Sequence, residues 1–204
     1  MSDQSNRELV EFWEGRWESG HTPWDHGESA PPLAEFVEQY GAPGGQVLVP
    51  GAGSGYDVHF FAQLGAHATG LDIAPTSIDV AHKLNSHPNA RFRLGNILDP
   101  DPKYNGRFDW VVEHTCLCAL EPKHWEAYME GVCRVLKPGG YYLGLLYRNP
   151  VYDEGPPFGI DADAIERLFG ERFDLIKAWV PEKSYLSRFE REELRWYRLR
   201  PAAQ

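Results

Sequence analysis

A short apolar run that leads into three closely spaced glycines limits the folds open to this chain more than any other feature. Residues 47–49 are typical of a strand, Gly51, Gly53 and Gly55 follow, and a helical pattern begins at Tyr56. A strand, a glycine loop and a helix in this order bring bare backbone close to a ligand, with the free N–H groups of the helix start facing its polar atoms. The alternative is that these glycines form only a tight turn.

An acidic residue stands where a ribose-binding side chain is expected. Asp72 ends the next predicted strand and lies 21 residues after Gly51. A carboxylate at that point can accept hydrogen bonds from a ribose diol, which indicates a nucleoside-containing cofactor. The glycine spacing is G-x-G-x-G, whereas dinucleotide enzymes favour G-x-G-x-x-G, so a nicotinamide dehydrogenase is the weaker candidate.

Strands and helices alternate after Gly45. The predicted strands are 46–49, 66–71, 91–94, 108–113 and 141–147, and the predicted helices are 6–19, 31–40, 56–64, 76–84, 122–136 and 161–169. This alternation requires right-handed crossovers and predicts an α/β fold with a mainly parallel sheet covered on both faces. Two last strands, 173–180 and 194–199, have no long helix between them and therefore predict an antiparallel pair.

Composition narrows the classes of partner. The 204 residues carry 20 basic and 30 acidic side chains, a formal charge of −10, which argues against a nucleic-acid binder. The longest apolar runs fall far short of the ~20 residues that cross a bilayer, so no membrane or targeting segment is expected. The length suits a single domain over 1–204, as a monomer or weak dimer, and the cysteine usage indicates the cytoplasm.

Side chains after the third and fourth predicted strands share the sheet edge of the glycine loop. Open α/β sheets bind ligands there, so we expect Asn96 to contact an adenine edge, Ile97 to cover its face and His114 to lie on the ligand side. Equally open alternatives are that Asn96 begins a turn and that Ile97 packs in the core. His114, Cys116 and Cys118 lack a second ligand pair at zinc-like spacing, so no metal site is predicted.

Three tryptophans precede the first strand. Trp13 and Trp17 are four residues apart on one face of the first helix, and Trp24 follows in a segment broken by proline and glycine. Aromatic faces attract a sulfonium or cover an adenine ring, and a helix that carries them could fold over a cofactor and exclude water. The alternative is an amphipathic helix that only packs on the sheet.

Short motifs distributed along the chain limit the families to which it could be related. They are Trp13-Glu14-x-x-Trp17, Thr22-Pro23-Trp24-Asp25, Val49-Pro50-Gly51-x-Gly53, Gly70-Leu71-Asp72-Ile73, Cys118-Ala119-Leu120-Glu121-Pro122, Leu136-Lys137-Pro138-Gly139-Gly140 and Gly155-Pro156-Pro157. Together they resemble the thiopurine S-methyltransferase family of class I S-adenosylmethionine (SAM)-dependent methyltransferases, and within it the halide and thiol methyltransferases known as "harmless to ozone layer" proteins. The resemblance implies a three-layer Rossmann-like fold with a seven-stranded sheet, a C-terminal antiparallel hairpin and an N-terminal helical lid within 1–42.

The resemblance implies SAM as the cofactor and assigns residues to it position by position. The implied cofactor-binding residues are Trp13, Trp17, Trp24, Gly51, Gly53, Asp72, Ile73, Asn96, Ile97 and His114. Two of them depart from the family pattern. Asn96 stands where relatives often have an acid, and His114 replaces an aromatic residue, so His114 is also a candidate for contact with the methyl acceptor.

The resemblance also implies a small acceptor pocket lined by His21, Thr22 and Tyr147. We expect the hydroxyls of Thr22 and Tyr147 to hold an anionic acceptor, with Arg148 adding charge and the loop 150–158 capping the methyl end of the cofactor. These three residues, Thr22, Tyr147 and Arg148, are therefore the candidate catalytic residues.

Tyr147, Arg148 and the later charged run also have interpretations that involve no acceptor. Tyr147 could instead pack in the core while Arg148 pairs with Asp153 or Glu154, and the charged run 188–195 alternates in sign, which is typical of a solvated face.

Methyl transfer from a sulfonium is an in-line displacement that depends on alignment. Oriented proximity contributes ~7–11 kcal/mol, whereas full deprotonation of a thiol contributes only ~2 kcal/mol, so no base constellation is required. The sequence therefore predicts a methyltransferase for a small soft nucleophile, a thiol or hydrosulfide and next a halide or thiocyanate. The alternatives are a thiopurine-type aromatic thiol, a selenium or tellurium species, and a non-catalytic module that only binds SAM.

Overall fold

The computed structural model describes residues 3–148 and 155–201. The helices are α1 (Asp3–Glu18), α2 (Pro31–Tyr40), α3 (Tyr56–Gln63), α4 (Pro75–Leu84), α5 (Trp125–Val135) and α6 (Ala162–Phe169). The strands are β1 (Gln46–Pro50), β2 (His67–Asp72), β3 (Ala90–Leu94), β4 (Phe108–His114), β5 (Leu136–Tyr147), β6 (Phe173–Trp179) and β7 (Glu192–Leu199). These bounds lie close to those predicted from the sequence, because apolar periodicity and glycine or proline breaks coincide at most element ends.

The strands form one seven-stranded sheet in the order β3-β2-β1-β4-β5-β7-β6. β1 to β5 are parallel, while β7 runs antiparallel to both β5 and β6. The predicted α/β class, the mainly parallel sheet and the closing antiparallel pair are thus confirmed. The chain first builds outward from β1 to β3 and then returns to β4, so a ligand-binding crevice is expected between the carboxyl ends of β1 and β4.

Each face of the sheet has its own apolar core. Leu48 and Tyr142 lie on one face and pack with residues of α5 and α6. Val47 and Leu143 lie on the other face and pack with residues of α2, α3 and α4. Neighbouring residues of one strand therefore serve opposite cores, as the two-residue period of a β-strand requires. Helices on both faces give the three layers expected from the resemblance.

Two details differ from the sequence prediction. β5 begins at Leu136 and not at Tyr141, because Leu136 pairs with Phe108 before a register shift between Phe108 and Trp110. The predicted helix over 122–136 consists of a 3-10 turn, Pro122–His124, followed by α5. A proline at the start of a helix favours such a tight first turn, since its fixed φ suits the start and it has no N–H to satisfy.

Candidate active site

A cavity of about 240 Å³ opens at the carboxyl ends of the parallel strands. It is lined by Leu9, Trp13, Arg16, Trp17, Pro23, Trp24, Gly51, Gly53, Leu71, Asp72, Ile73, Gly95, Asn96, Ile97, Thr115, Cys116, Cys118, Ala119, Leu120, Pro156, Pro157 and Arg188. The lining therefore collects the ends of β1 to β4, one face of α1 and the segment before β7. This is the crevice that the strand order predicts.

The glycine loop after β1 brings backbone to the cavity surface. Gly51 has φ +60°, and a Cβ there would lie 2.9 Å from the Cys116 Sγ. Gly53 has φ +52°, and its Cβ would meet the Trp17 ring at 3.5 Å. Positive φ and the close approach of Cys116 both require glycine at Gly51, and because Gly51 and Gly53 lack side chains, the main chain itself lines the cavity.

Asp72 ends β2 inside the cavity. Its Oδ2 accepts a 2.8 Å hydrogen bond from the Gly53 N–H, and its Oδ1 accepts a 2.9 Å bond from the Ala74 N–H. Burial raises the pKa of this carboxyl, while the backbone N–H groups oppose that rise. Each oxygen has accepted one of these bonds and retains acceptor capacity, so the carboxylate fits a pair of ligand hydroxyls.

Three tryptophans cover the cavity. Trp24 makes edge-to-face contacts with Trp13, at 5.3 Å between ring centroids, and with Trp17, at 6.0 Å. Asp25, next to Trp24, accepts a hydrogen bond from the Ser54 hydroxyl and so fastens this segment to the glycine loop. The family resemblance assigned these three tryptophans to the cofactor, and the structure places all three in the cavity lining.

α1 is fastened across the cavity at two points. The Glu14 carboxylate accepts hydrogen bonds of 3.1 and 3.2 Å from the Thr76 N–H in the first turn of α4, where a helix N-terminus favours negative charge. The Asn96 amide donates a 2.7 Å hydrogen bond to the Asn6 Oδ1, and the Asn96 Oδ1 accepts one of 2.9 Å from the Leu98 N–H. Asn96 thus begins a turn and also lines the cavity, while its predicted contact with an adenine edge stays a prediction.

The segment after β4 forms the floor of the cavity. Thr115 has φ +62°, a rare conformation for a β-branched residue, and it lines the cavity. Glu113 supports this turn, since its Oε1 accepts hydrogen bonds from the Cys116 N–H at 2.8 Å and the Leu117 N–H at 3.0 Å. Burial raises the pKa of Glu113 to about 7, against the opposing effect of these N–H groups.

Two thiols lie in the lining but are poor nucleophiles. Burial raises the pKa of Cys118 to about 12 and raises that of Cys116 well above its ordinary value. Both therefore stay protonated near neutral pH, and the thiolate is the nucleophilic form. All three cysteines of the chain are free. Within the described ranges, no three His, Cys, Asp or Glu side chains gather in a group that could hold a metal ion.

Of the predicted site residues, the cavity lining includes Trp13, Trp17, Trp24, Gly51, Gly53, Asp72, Ile73, Asn96 and Ile97. His114 lies behind this surface, with its Nδ1 3.0 Å from the Asp57 Oδ2 in the first turn of α3. Burial lowers the pKa of His114, but the carboxylates of Asp57, Glu192 and Glu113 together raise it overall. Asp57 also accepts a 2.9 Å bond from the Ala30 N–H, so the pair ties β4, α3 and the start of α2 together.

The predicted acceptor residues are placed less directly. His21 is exposed and Thr22 is half-buried beside Pro23, which does line the cavity. Tyr147 is buried beneath the Arg188 guanidinium, whose Cζ lies 4.8 Å from the ring centroid. Arg148 Nη1 lies 3.6 Å from the Glu193 Oε2.

The predicted capping loop is described only in part. Pro156 and Pro157 line the cavity, whereas Asp153, Glu154 and the rest of 149–154 lie outside the described residues.

Sequence reasoning missed several lining residues, Arg16 and Thr115 among them, and the most informative of the missed residues is Arg188. It begins the charged run 188–195, which was expected to be solvated, yet its side chain is only 15% exposed and its Nη1 lies 3.5 Å from the buried Glu192. Two signals could have found it. Arg188 precedes the last strand, which pairs with β5 at Tyr147, and Arg188 and Glu192 are four residues apart.

The lining fits a nucleoside that carries a cationic sulfur chain. Asp72 can accept hydrogen bonds from a ribose diol, the main chain of Gly51 and Gly53 lines the cavity without a side chain in the way, and the tryptophans can cover a sulfonium or a base. No helix in the described ranges has both the length and the apolar character that crossing a membrane demands.

Solved structures that share this fold include methyltransferases. A Burkholderia thailandensis 1,6-didemethyltoxoflavin-N1-methyltransferase with bound S-adenosylhomocysteine matches 98% of this chain and 91% of its own, with a TM-score of 0.74 and 18% identity. A TehB-like SAM-dependent methyltransferase from Corynebacterium glutamicum matches 98% of this chain and 100% of its own, with a TM-score of 0.65 and 17% identity. These likenesses show the class I methyltransferase fold.

Sequence comparison identifies the family. The family model described as thiopurine S-methyltransferase (TPMT) matches residues 9–198. Probable thiol methyltransferase 2 of Arabidopsis thaliana is 34% identical over 160 residues, 76% of this chain and 70% of its own length. Thiocyanate methyltransferase 1 of Brassica oleracea is 33% identical over 158 residues, 76% of this chain and 69% of its own length. The chain belongs to the thiopurine S-methyltransferase family and is a SAM-dependent methyltransferase.

Proposed function

We propose that this methyltransferase transfers the methyl group of SAM to a small, soft, anionic acceptor, a thiolate or hydrosulfide first and thiocyanate or a halide next. The observation that carries the proposal is Arg188, a largely buried cation in the lining of an otherwise mainly apolar cavity. When bound, SAM supplies an electrophilic methyl group on a sulfonium.

The order of residues along the sheet edge supports this assignment. Asn96 and Asp72 follow β3 and β2, Gly51 follows β1, Thr115 follows β4, and Arg188 precedes β7 next to β5. If Asp72 accepts the ribose hydroxyls, the adenosine lies toward β3 and the acceptor lies toward Arg188. We propose that the predicted lining residues from Trp13 to Ile97 hold the cofactor in this direction.

Arg188 is suited to an anion. Its Nη1 is buried and makes no hydrogen bond to any described residue, although the Glu192 carboxylate lies 3.5 Å away. The Arg148 Nη1 is also buried without a hydrogen bond, but of the two arginines it is Arg188 that lines the cavity. A buried donor without a hydrogen bond carries a desolvation cost, which an anionic acceptor offsets. The Tyr147 ring supports the guanidinium from below. We therefore propose that Arg188 supplies the charge that the sequence assigned to Arg148, and that Tyr147 positions it.

The apolar part of the lining suits soft nucleophiles. Cys118, Leu120, Pro156 and Pro157 share the cavity lining with Arg188, so a large, polarisable sulfur or halide meets apolar surface and a buried cation. The second cation of the lining, Arg16, belongs to α1. The guanidinium favours the thiolate over the thiol, so the thiol proton passes to solvent without a dedicated base. Water is excluded by the α1 tryptophans, and alignment is the main contribution of the protein.

The test is an acceptor panel with paired arginine variants. Release of S-adenosylhomocysteine (SAH) is measured with hydrosulfide, a small alkyl thiol, thiocyanate, iodide and an aromatic thiol. Loss of a charge-assisted hydrogen bond of ~1.5–3 kcal/mol predicts that Arg188→Gln lowers kcat/KM for thiocyanate about 10- to 100-fold. The SAH dissociation constant should change less than threefold.

Arg148→Gln is the matched control, because it removes the same charge from the neighbouring strand end. We expect it to leave kcat/KM within threefold of the unaltered enzyme. Loss of activity in Arg148→Gln with normal activity in Arg188→Gln would refute the proposed role of Arg188 and support the sequence-based assignment. SAH release only with the aromatic thiol would favour the thiopurine-type alternative. A Gluconobacter oxydans thiopurine S-methyltransferase, 26% identical over 91% of this chain and 92% of its own length, motivates that arm.

The proposal also covers the domain organisation, oligomeric state, location and partners of the enzyme. We infer a single domain over 1–204, a monomer or weak dimer, that works in the cytoplasm on small molecules and not on nucleic acid or membranes. Three free cysteines and a net charge of −10 support this inference. His114 is proposed to position α3 through Asp57, and not to touch the cofactor.

A further inference from the structure

A second cavity lies near the amino ends of the parallel strands, opposite the carboxyl ends that form the active site. Its volume is about 280 Å³, and it is lined by the first residues of β1 and β2, Gln46 and His67, and by Asn89 just before β3. The chain between β3 and β4 contains a 3-10 turn, Pro102–Tyr104, and no α-helix. This part of the sheet face is therefore left open.

The strand period places two arginines on this open face. Arg91 and Arg93 are alternate residues of β3 and therefore lie on one face, while Phe92 between them is buried in the core of the other face. Arg91 pairs in register with Thr69 of β2, which also lines the cavity. β3 is the edge strand of the sheet, so both guanidinium groups are accessible.

The connection to β4 adds two further cations. Lys103 and Arg107 line the same cavity, so its charged members are Arg91, Arg93, Lys103 and Arg107, and the described lining contains no Asp or Glu. A cleft lined by one sign of charge concentrates counter-ions. In a chain whose formal charge is −10, this cleft gathers four of the 20 Lys and Arg residues.

Internal partners neutralise little of this charge. Lys103 pairs at 2.7 Å with Asp101, and both side chains are largely exposed. The Arg93 Nη1 donates a 2.8 Å hydrogen bond to the Phe92 carbonyl, which carries no formal charge. Arg91 and Arg107 form no salt bridge with any residue that the structure describes. Mutual repulsion among these cations is relieved when an anion binds between them.

We propose that this cleft binds a small polyphosphate anion, a diphosphate or triphosphate group, at a site separate from the active site. Guanidinium groups match phosphate oxygens in a fork geometry, and a triphosphate carries about as many negative charges as the cleft has cations. Gln46, Thr69 and Asn89 add neutral polar groups for the remaining oxygens. The occupant is either a free polyphosphate or the polyphosphate part of a nucleotide.

The test is calorimetric titration of the full chain with inorganic tripolyphosphate and with ATP at constant ionic strength. Saturating SAH is present throughout, so that the adenosine part of ATP cannot use the active site. We expect saturable 1:1 binding of tripolyphosphate that weakens as salt is raised. Tighter binding of ATP would identify a nucleotide, and equal binding would identify the polyphosphate alone.

Two double variants test the location. Arg91→Gln with Arg107→Gln should weaken tripolyphosphate binding at least tenfold. Lys83→Gln with Arg198→Gln removes the same total charge from exposed positions elsewhere and should change the affinity less than twofold. Should the first pair unfold the protein, the single variant Arg107→Gln should still weaken binding at least threefold, because this residue lies in a connection and not in a strand.

Three outcomes would overturn the proposal. They are no saturable binding of either anion to the unaltered protein, equal weakening by the two double variants, and binding of a single-stranded RNA oligonucleotide that is tighter than that of both small anions. The last result would assign the cleft to nucleic acid. None of these outcomes depends on methyl transfer, so the test is independent of the acceptor assay.

Discussion

At the scale of single residues, the cavity depends on main chain that carries no side chain. Gly51 has positive φ and faces the Cys116 Sγ, whereas Gly65, at φ +96°, has nothing within 4 Å of where a Cβ would lie. The two glycines therefore share a backbone demand and differ in steric surroundings. Substitution at both positions therefore separates the free energy lost to backbone strain from the free energy lost to steric conflict with Cys116.

Alanine substitution at these two glycines gives the first prediction. Gly65→Ala should lower the free energy of unfolding by about 1–2 kcal/mol and leave SAH affinity unchanged, since only backbone strain is added. Gly51→Ala should lose more stability and bind SAH at least tenfold more weakly, because the new Cβ displaces Cys116 or the ligand. Denaturant unfolding and SAH titration measure both. Equal SAH affinity in the two variants would contradict the close approach at Gly51.

Residues whose positions follow from local sequence patterns were predictable. Gly51 and Asp72 follow strands at a spacing that fixes their place at the sheet edge, and Trp13 and Trp17 share a helix face. Arg188 was not predictable in the same way, because alternating charges in 188–195 have the pattern of a solvated face. Its burial results from the pairing of β7 with β5, which is a long-range contact.

At the scale of elements, the turn after β4 depends on a buried acid. Glu113 accepts the N–H groups of Cys116 and Leu117, and burial raises its pKa to about 7 from an ordinary value near 4.5. The folded protein therefore holds this proton more tightly than the unfolded chain does between these two pH values. Its contribution to stability is fully present below about pH 4.5 and is lost as pH rises through about 7.

The pH dependence of Glu113→Gln is the second prediction. Glutamine keeps an acceptor oxygen for the two N–H groups but cannot ionise. The stability of the variant relative to the unaltered protein should therefore rise with pH, by on the order of 3 kcal/mol between about pH 4.5 and 7. Urea unfolding at a series of pH values gives this difference. A difference that stays constant over the range would show that Glu113 titrates normally.

The attachment of α1 gives a third prediction. Glu14 accepts the Thr76 N–H at the start of α4, while Glu11 is exposed on the same helix. Loss of a charge-assisted hydrogen bond predicts that Glu14→Ala speeds hydrogen exchange of α1 about tenfold or more in the SAH complex.

Hydrogen exchange of the peptide 3–18 measures this effect. Glu11→Ala, the control, should match the unaltered protein. Identical exchange in Glu14→Ala and Glu11→Ala would mean that Glu14 does not hold the helix over the cavity.

The elements themselves were largely predictable, and their lateral order was not. Apolar alternation and glycine or proline breaks located β1 to β4 within two residues of each end, because those signals are local. The extension of β5 back to Leu136 depends on its partner Phe108 and has no local signal. The sequence prediction also placed no helix between β3 and β4, and the structure has only the 3-10 turn Pro102–Tyr104 there, which leaves the cationic cleft open.

At the scale of the whole molecule, the two ends of the parallel strands have different chemistry. The cavity at the carboxyl ends is mainly apolar and includes Asp72 and Arg188, and the cleft near the amino ends is lined by four cations. A ligand that bridges β1, β2, β4 and the segment before β7 should stabilise the entire fold, because β2 and β7 lie near opposite sides of the seven-stranded sheet.

Thermal unfolding with SAH is the fourth prediction. At 100 times its dissociation constant, SAH adds ~2.7 kcal/mol of stability, which raises the Tm of a protein of this size by about 5–10 °C. NAD at the same concentration should change the Tm by less than about 1 °C, since the loop spacing is not that of a dinucleotide site. An equal shift with both ligands would count against the assignment of the cavity to SAM.

Transfer of a labelled methyl group shows whether the protein moves the methyl of SAM to a small anion. SAM carrying a trideuterated methyl group is incubated with the protein and thiocyanate or hydrosulfide, and the volatile product is identified by mass spectrometry. The account predicts trideuterated methyl thiocyanate or methanethiol in amounts equal to the SAH released, with a 10- to 100-fold lower rate in Arg188→Gln. Binding of SAM without a labelled product from any small sulfur or halide anion would contradict it.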